Sequence, residues 1–265
     1  MGYCIAHLPY GLRRRLSEVA TPLERYNLQV AAGSKDICPP FLQMLQTKKL
    51  SLEFRVLKGV LTVSELLEDD SVEPFVVAPD DLVLCEMDVC FRNMNVDDLE
   101  APIFQHFMLK PAAIQFVECD DTAAFYQKVS AMTNAAADRI TICNATPVCF
   151  KDVFESFPET TRLYLHTVLP NGWMADLVKH QKKRLVGCYV FAIEEHVGSF
   201  TSREVTTLFK RQEKHFEVLL RVWNHTRQYI KGVEKKLDRC LKRLEDQDRF
   251  GRFTLSYGNV AVKFN

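Results

Sequence analysis

The sequence predicts an α/β fold, in which a short helical segment precedes a solenoid of strand-and-helix units with a mostly parallel sheet. Between about residues 113 and 212, a short apolar run typical of a strand is repeatedly followed by a run typical of a helix. If Ile114, Ile140, Leu163 and Tyr189 are equivalent, the repeat steps are 26, 23 and 26 residues, a period typical of solenoids. One unit buries its apolar face only against its neighbours, through a parallel sheet backed by helices.

The residues before this repeat predict three short helices. An apolar stripe at helical spacing marks the first helix: Leu8, Leu12, Leu16 and Val19. The second helix has Thr21 as its N-cap, Pro22 at its first position and Glu24 in a capping box, and it ends at Gly33. A third helix is predicted to begin at Pro39-Pro40 and to carry three apolar residues: Phe41, Leu42 and Leu45.

The pattern Leu8-Pro9-x-x-Leu12-x-x-x-Leu16, followed by a second helix with Tyr26 and Leu28, resembles an F-box. Over residues 7–46 the chain is most similar to the divergent F-box-like proteins of nematodes. The resemblance implies that this region docks the Skp-type adaptor of a cullin ubiquitin ligase, and that the repeats behind it hold a protein substrate. The implied docking residues are Leu8, Pro9, Leu12 and Leu16. The alternative is that the helices only cap the open core of the first repeat.

We therefore divide the chain into an F-box-like helical segment, residues 1–48, and a βα repeat domain, residues 49–265. The early units of that domain are predicted to be longer than the central ones. Residues 51–56 alternate as a half-buried strand, Leu66-Leu67 are placed on a helix, and residues 81–85 form the next strand. A helical stripe is expected to follow it: Leu99, Ile103, Phe107 and Leu109.

The last units are predicted from alternation and helical spacing. Residues 216–222 alternate as a strand, and Ile230 to Leu244 follow as an amphipathic helix. The chain then ends in a hairpin that turns at Gly258-Asn259. Because Ile114-x-Phe116-x-x-Cys119 matches a leucine-rich repeat and the other units match it only in part, we expect an irregular, leucine-rich-repeat-like solenoid. The alternative is an ordinary open α/β sheet.

Charge is divided unevenly along a chain whose 34 basic and 34 acidic residues cancel. Residues 64–121 contain 15 acidic and 2 basic residues, whereas residues 179–252 contain 18 basic and 10 acidic residues. We expect one acidic and one basic end, which are either solvated faces or surfaces that steer partners. The nine cysteines are scattered and form no CxxC, so we expect buried thiols and a cytoplasmic or nuclear protein. We expect no signal peptide, transmembrane helix or membrane partner.

We find no motif in the sequence that identifies an enzymatic reaction. It has no GxGxxG, P-loop, GxSxG or HExxH, and its acidic doublets lie mostly at predicted strand or helix ends, where capping explains them best. We therefore expect a non-enzymatic interaction protein without cofactor or metal. A further alternative is an RNA-binding protein that uses the basic residues after Lys179, but no surface aromatics interleaved with them are evident, so nucleic acid is not the favoured partner.

Overall fold

The structure is a computed structural model that describes residues 7–33, 37–40, 42–47, 50–69, 71–244 and 253–265. The α-helices of this part are α1 (Tyr10–Val19), α2 (Pro22–Ala32), α3 (Ala123–Thr133), α4 (Phe150–Ser156), α5 (Trp173–His180), α6 (Ser202–Arg211) and α7 (Arg227–Leu237). The first strands are β1 (Gln46–Thr47), β2 (Ser51–Leu57), β3 (Val60–Leu66), β4 (Val72–Pro74), β5 (Val83–Cys85), β6 (Asp88–Arg92) and β7 (Phe107–Leu109). The remaining strands are β8 (Ala113–Val117), β9 (Arg139–Cys143), β10 (Arg162–Leu165), β11 (Gly187–Ile193), β12 (Glu217–Trp223), β13 (Phe253–Tyr257) and β14 (Val260–Phe264).

Eleven of these strands form one large sheet, in the order β4-β3-β2-β6-β8-β9-β10-β11-β12-β13-β14. All neighbours from β2 to β13 are parallel. Antiparallel strands lie only at the edges of this sheet, with β3 and β4 at one edge and β14 at the other. The predicted α/β class and mostly parallel sheet are therefore confirmed.

One row of directly paired residues crosses the whole parallel part of the sheet. Its members are Leu52, Val89, Ile114, Ile140, Leu163, Cys188, Val218 and Phe253. All of them are almost completely buried, and they form the strand side of the core. The predicted equivalence of Ile114, Ile140 and Leu163 is confirmed, but Tyr189 is one residue out of register, because Leu163 pairs with Cys188. A shift of one residue reverses the face, so Tyr189 points away from the core.

The helices from α3 onwards cover one face of the sheet. Each crossover steps to the next parallel strand in the same direction, and such crossovers are right-handed, which places the helices on the same side. Accordingly α3 packs on α4, α4 on α5, α5 on α6, and α6 on α7. Side chains on the other face keep part of their surface exposed, so we call this surface the open face. Across its central strands, one row of the open face consists of Gln115, Thr141, Tyr164, Tyr189, Leu219 and Thr254.

The early units differ from the prediction, because a second sheet lies beside the first. The strand predicted at residues 81–85 is β5, which pairs with β1 and β7 in a small parallel sheet. The strand that enters the large sheet is β6, five residues later. Leu66 ends β3 rather than lying on a helix, and Leu67 begins a turn in which its N–H donates to the Ser71 carbonyl. The β2–β3 hairpin turns at Lys58-Gly59, where both φ angles are positive as in a type I′ turn.

Two predicted helical stretches have another conformation. Leu99, Ile103, Phe107 and Leu109 lie on two 3₁₀ turns, Asp98–Glu100 and Pro102–His106, and on β7. Proline explains this: Pro102 begins a new turn, and Pro111 disfavours helix at the residue before it. The helix predicted after Pro39-Pro40 is also wrong, because residues 42–45 have no helical structure and run into β1. Phe41 lies outside the described residues.

The end of the chain follows the prediction closely. The strand expected at residues 216–222 is β12, and the terminal hairpin turns at Gly258, whose φ is +53°. Helix α7 ends at Leu237 rather than at Leu244. The backbone N–H of Leu244 instead donates to the Lys263 carbonyl at 2.9 Å, which attaches this stretch to β14.

Candidate functional site

The two N-terminal helices attach to the body of the protein through polar side chains. Helix α2 buries Arg25 and Gln29, which are four residues apart, together with Pro22, and α1 buries Ser17. An ordinary surface helix buries an apolar stripe, so the burial of these polar side chains is unusual. Buried polar groups need hydrogen-bond partners, and Arg25 and Gln29 find them in the body, whereas the Ser17 hydroxyl has none among the described residues.

The partners are supplied mainly by Gln43 and Asp80. The Arg25 guanidinium donates to the Gln43 Oε1 at 3.0 Å, to the Asp80 carboxylate at 2.8 Å and to the Ala20 carbonyl at 3.2 Å. The Gln29 side chain donates to the Gln43 carbonyl at 3.0 Å and accepts from the Gln43 N–H at 2.7 Å. The extended course of residues 42–45 follows from these bonds, because Gln43 offers its backbone to α2 instead of to a helix of its own.

The opposite side of these helices is apolar and faces solvent. Leu12 is 56% exposed and Val19 is 64% exposed, while Leu16 and Leu28 are half-buried. Between the two helices lies a groove of about 550 Å³ that is lined mainly by Leu16, Val19, Leu28 and Ala31. We call Leu12, Leu16, Val19 and Leu28 the N-terminal apolar face. Exposed apolar surface of this kind marks interaction sites in soluble proteins.

Two of the four predicted docking residues, Leu12 and Leu16, belong to this face. Leu12 and Leu16 are one helical turn apart on α1, and the half-buried Leu8 lies just before the helix. Pro9 is exposed at the N-cap, where its carbonyl accepts the Leu12 N–H at 3.0 Å. Val19 was recognised in the sequence only as part of the helical stripe and Leu28 only as part of the resemblance. Their part in the groove depends on how α1 and α2 pack.

The open face carries a second unpartnered feature, a set of stacked rings across β10, β11 and β12. The rings of Tyr164 and Tyr189 have centroids 4.5 Å apart and planes 16° apart. Those of His166 and Phe191 are 4.5 Å apart at 8°, and Phe191 also stacks on Trp223 at 6.2 Å. We call these five residues the aromatic ladder. Sequence reasoning did not identify these rings as a surface feature.

The other end of the open face is charged. The buried Glu53 carboxylate lies 2.8 Å from both the Arg55 and the Arg92 guanidinium groups, and Asp88 pairs with Arg139 at 2.9 Å. Of these residues, Glu53, Asp88 and Arg92 border a polar depression of about 390 Å³. Because each of these carboxylates already has an arginine partner, this end offers less unsatisfied hydrogen-bonding capacity than the aromatic ladder does.

Several acidic residues that occur in adjacent pairs in the sequence accept hydrogen bonds in turns or next to helix N-caps. The Asp69 carboxylate accepts the Ser71 N–H at 3.0 Å, and Asp98 accepts the Asn95 N–H at 2.8 Å. Asp120 accepts the N–H and the hydroxyl of Thr122, the N-cap of α3. Within the residues described, no group of three His, Cys, Asp or Glu side chains could hold a metal ion.

Comparisons of the chain with protein-family models, with curated proteins and with solved structures found no match. In the described ranges, no helix is both long enough and apolar enough to span a membrane. The site therefore has to be interpreted from its own geometry.

Proposed function

We propose that this chain is a non-enzymatic substrate receptor of a cullin-type ubiquitin ligase, acting in the cytoplasm or the nucleus. In this proposal α1 and α2 form an F-box-like segment that docks the Skp-type adaptor. The strand-and-helix units form an irregular, leucine-rich-repeat-like solenoid whose open face holds a protein target. The proposal joins the N-terminal resemblance to the N-terminal apolar face and the aromatic ladder.

The observation that carries the proposal is the orientation of α1 and α2. A helix pair that served only as a cap would turn its apolar stripe towards the core it shields. Here α2 buries the polar Arg25 and Gln29 beside Pro22, and the apolar Leu12 and Val19 of α1 face solvent. Exposing apolar side chains while burying polar ones is unfavourable for an isolated protein, so we infer that a partner covers the N-terminal apolar face.

The test is binding of the purified protein to a purified Skp-type adaptor. The variant Leu12→Asp places a charge in the N-terminal apolar face, and we expect it to weaken co-elution and affinity by at least about tenfold. Leu57→Asp is the matched control, because Leu57 is 57% exposed at the β2–β3 turn, far along the chain from α1. Normal binding by Leu12→Asp, or no binding by the folded wild-type protein, would refute adaptor docking.

A second candidate is an interaction scaffold whose N-terminal helices are only a cap. The bonds from Arg25 to Gln43 and Asp80 favour it, since a cap has to be attached firmly to the body. This candidate predicts that Leu12→Asp lowers the melting temperature and leaves the set of bound partners unchanged. Adaptor docking predicts the opposite: because Leu12 is 56% exposed, Leu12→Asp should leave the melting temperature unchanged, and the adaptor should be lost from the bound partners.

A further inference from the structure

The aromatic ladder has a geometry that restricts what it can bind. Neighbouring strands of a sheet are about 4.8 Å apart, and the Tyr164 and Tyr189 centroids are 4.5 Å apart with nearly parallel planes. The two rings therefore turn their faces towards each other along the sheet. His166 and Phe191 repeat this arrangement nearer the carboxyl ends of β10 and β11. What the ladder presents to solvent is mainly ring edges and tyrosine hydroxyl groups.

Ring edges argue against single-stranded nucleic acid as the occupant. Bases bind to aromatic side chains by stacking on an accessible face. In the ladder the facing surfaces of Tyr164 and Tyr189 cover each other, and the Arg221 guanidinium lies 5.9 Å from the centre of the Trp223 ring. A base would have to separate rings that already stack, and the overall charge of the chain is zero.

The groups that the ladder does present are electropositive or hydrogen-bond donors. Aromatic rings are negative on their faces and positive at their edges. Burial, followed by the neighbouring Tyr164 and Glu217, raises the pKa of Tyr189, so its hydroxyl stays protonated and can donate. Arg221 adds a full positive charge beside Trp223. The matching chemistry on a partner is a set of acceptors, of which carboxylates are the strongest.

The charges on these strands are few and lie apart. Of the charged residues in segment 179–252, β11 contains none and β12 contains only Glu217 and Arg221. Glu217 is exposed at the start of β12, whereas Arg221 and Trp223 lie towards its end. An acidic partner is therefore directed to the Arg221 end of the ladder.

We propose that the open face over β10, β11 and β12 binds an extended acidic polypeptide segment, whose carboxylates contact Arg221 and the tyrosine hydroxyls while its apolar atoms pack on the ring edges. This inference names the class of target for the receptor proposed above and rests on that function. Peptide binding by the purified protein needs no adaptor, so the two proposals can fail separately.

The first measurement uses an array of synthetic decapeptides rich in Asp, Glu and apolar residues. Each peptide is paired with a copy in which Asn and Gln replace Asp and Glu, and a random-sequence 12-nucleotide single-stranded RNA is included. We expect the acidic peptides to bind, and the strongest one to exceed its amide copy at least about tenfold in affinity by fluorescence anisotropy. A higher salt concentration should weaken the binding of the acidic peptide.

The second measurement uses variants of the ladder with the strongest peptide. We expect Arg221→Gln and Tyr164→Ser each to weaken binding about tenfold or more, with Arg211→Gln and Tyr10→Ser as exposed controls elsewhere on the molecule. Gly187→Ala is a further probe, because a Cβ at Gly187 would lie 2.6 Å from the Tyr189 ring. The end of the Tyr189 ring can rotate away from the added methyl group, so we expect Gly187→Ala to fold normally but to bind the peptide more weakly.

Each outcome decides the proposal. Loss of binding in the ladder variants at unchanged melting temperature, with normal binding by the controls and by Leu12→Asp, supports it. Equal binding of acidic peptides and their amide copies, or equal losses in ladder and control variants, overturns it. The proposal is also overturned, in favour of nucleic acid, if the protein binds the RNA but no peptide and if Arg221→Gln and Gly187→Ala abolish that RNA binding.

Discussion

At the scale of single residues, the buried polar contact of α2 is the least expected feature. Arg25, Gln29 and Gln43 occupy positions where apolar side chains would be the ordinary choice, and each finds hydrogen-bond partners there. Such a contact contributes little net stability while intact, but removing one member leaves the others unsatisfied. The attachment of the N-terminal helices therefore depends on few residues.

Replacing Arg25 by methionine tests this dependence. Arg25→Met removes the donors to Gln43, Asp80 and Ala20, and we expect the free energy of unfolding to fall by about 1–3 kcal/mol. Much of the Asp80 side chain is exposed, so solvent compensates for part of the loss. The control Arg14→Met breaks only an exposed pair with Glu18 and should lower the free energy of unfolding far less than Arg25→Met does. Urea unfolding measures both, and equal costs would contradict this account.

At the scale of elements, strand register decides which residues are core and which are surface. In the row through Leu163, inward side chains contact the helices, whereas the adjacent row through Tyr164 and Leu219 lies on the open face. The one-residue error at Tyr189 therefore assigned Tyr189 and Phe191, two of the five residues of the aromatic ladder, to the core side of β11. Gly187 completes the arrangement, because the absence of a Cβ leaves room for the Tyr189 ring.

Two leucines of the same sheet test the register. Leu163→Ala removes a completely buried side chain, and we expect it to lower the free energy of unfolding by about 2–5 kcal/mol. Leu219→Ala changes the half-exposed face two strands away and should cost about 1 kcal/mol or less, because less surface is lost from the core. Chemical denaturation compares the two. A larger cost for Leu219→Ala would mean that the sheet faces are assigned the wrong way round.

At the scale of the whole molecule, buried thiols are spread over the sheet. Burial raises the pKa of Cys85, Cys90 and Cys188 to about 12 from an ordinary value near 9.0, and that of Cys119 to about 11. Below pH 9 these thiols are protonated in both the folded and the unfolded chain. Above it they ionise in the unfolded chain first, so the folded state loses stability as pH rises towards 12.

The predicted result is a free energy of unfolding that falls as pH rises above about 9, with each buried thiol contributing at most about 1.4 kcal/mol per pH unit. Urea midpoints at pH 7.5, 9 and 10 measure this slope. In Cys188→Ala, which removes one such thiol, the slope should be shallower. The exposed Cys149 provides the matched substitution, since Cys149→Ala should change the slope less. Identical slopes in all three proteins would contradict the prediction.

The sequence predicted the parallel sheet because inward positions such as Ile114, Ile140 and Leu163 are apolar at a regular period. It placed the earlier strand at residues 81–85, because a continuous apolar run predicts a strand better than β6, whose Asp88 and Arg92 are charged. That run is buried in the small sheet, and periodicity alone does not show whether a buried strand belongs to the small sheet or to the large one. The F-box-like docking and the solenoid remain predictions.

The N-terminal apolar face was anticipated from helical spacing, whereas the aromatic ladder was not. Leu12 and Leu16 recur within one helix, so their common face can be read locally. The ladder joins residues from three strands, 25 residues apart between β10 and β11 and 32 between Phe191 and Trp223, and it can be recognised only once the strand register is known. Long-range pairing therefore carries the information that the local pattern lacks.

Antiparallel strands at both borders of the large sheet fix how many parallel strands it contains. With β3 and β4 on one side and β14 on the other, another unit cannot be appended without rebuilding a border. The eight parallel strands from β2 to β13, at about 4.8 Å each, span roughly 34 Å. A straight polypeptide advances about 3.3 Å per residue, so about three residues would cross the three strands of the aromatic ladder and roughly ten would cross all eight parallel strands. Under the proposal above, a bound segment longer than this would extend past a border of the sheet.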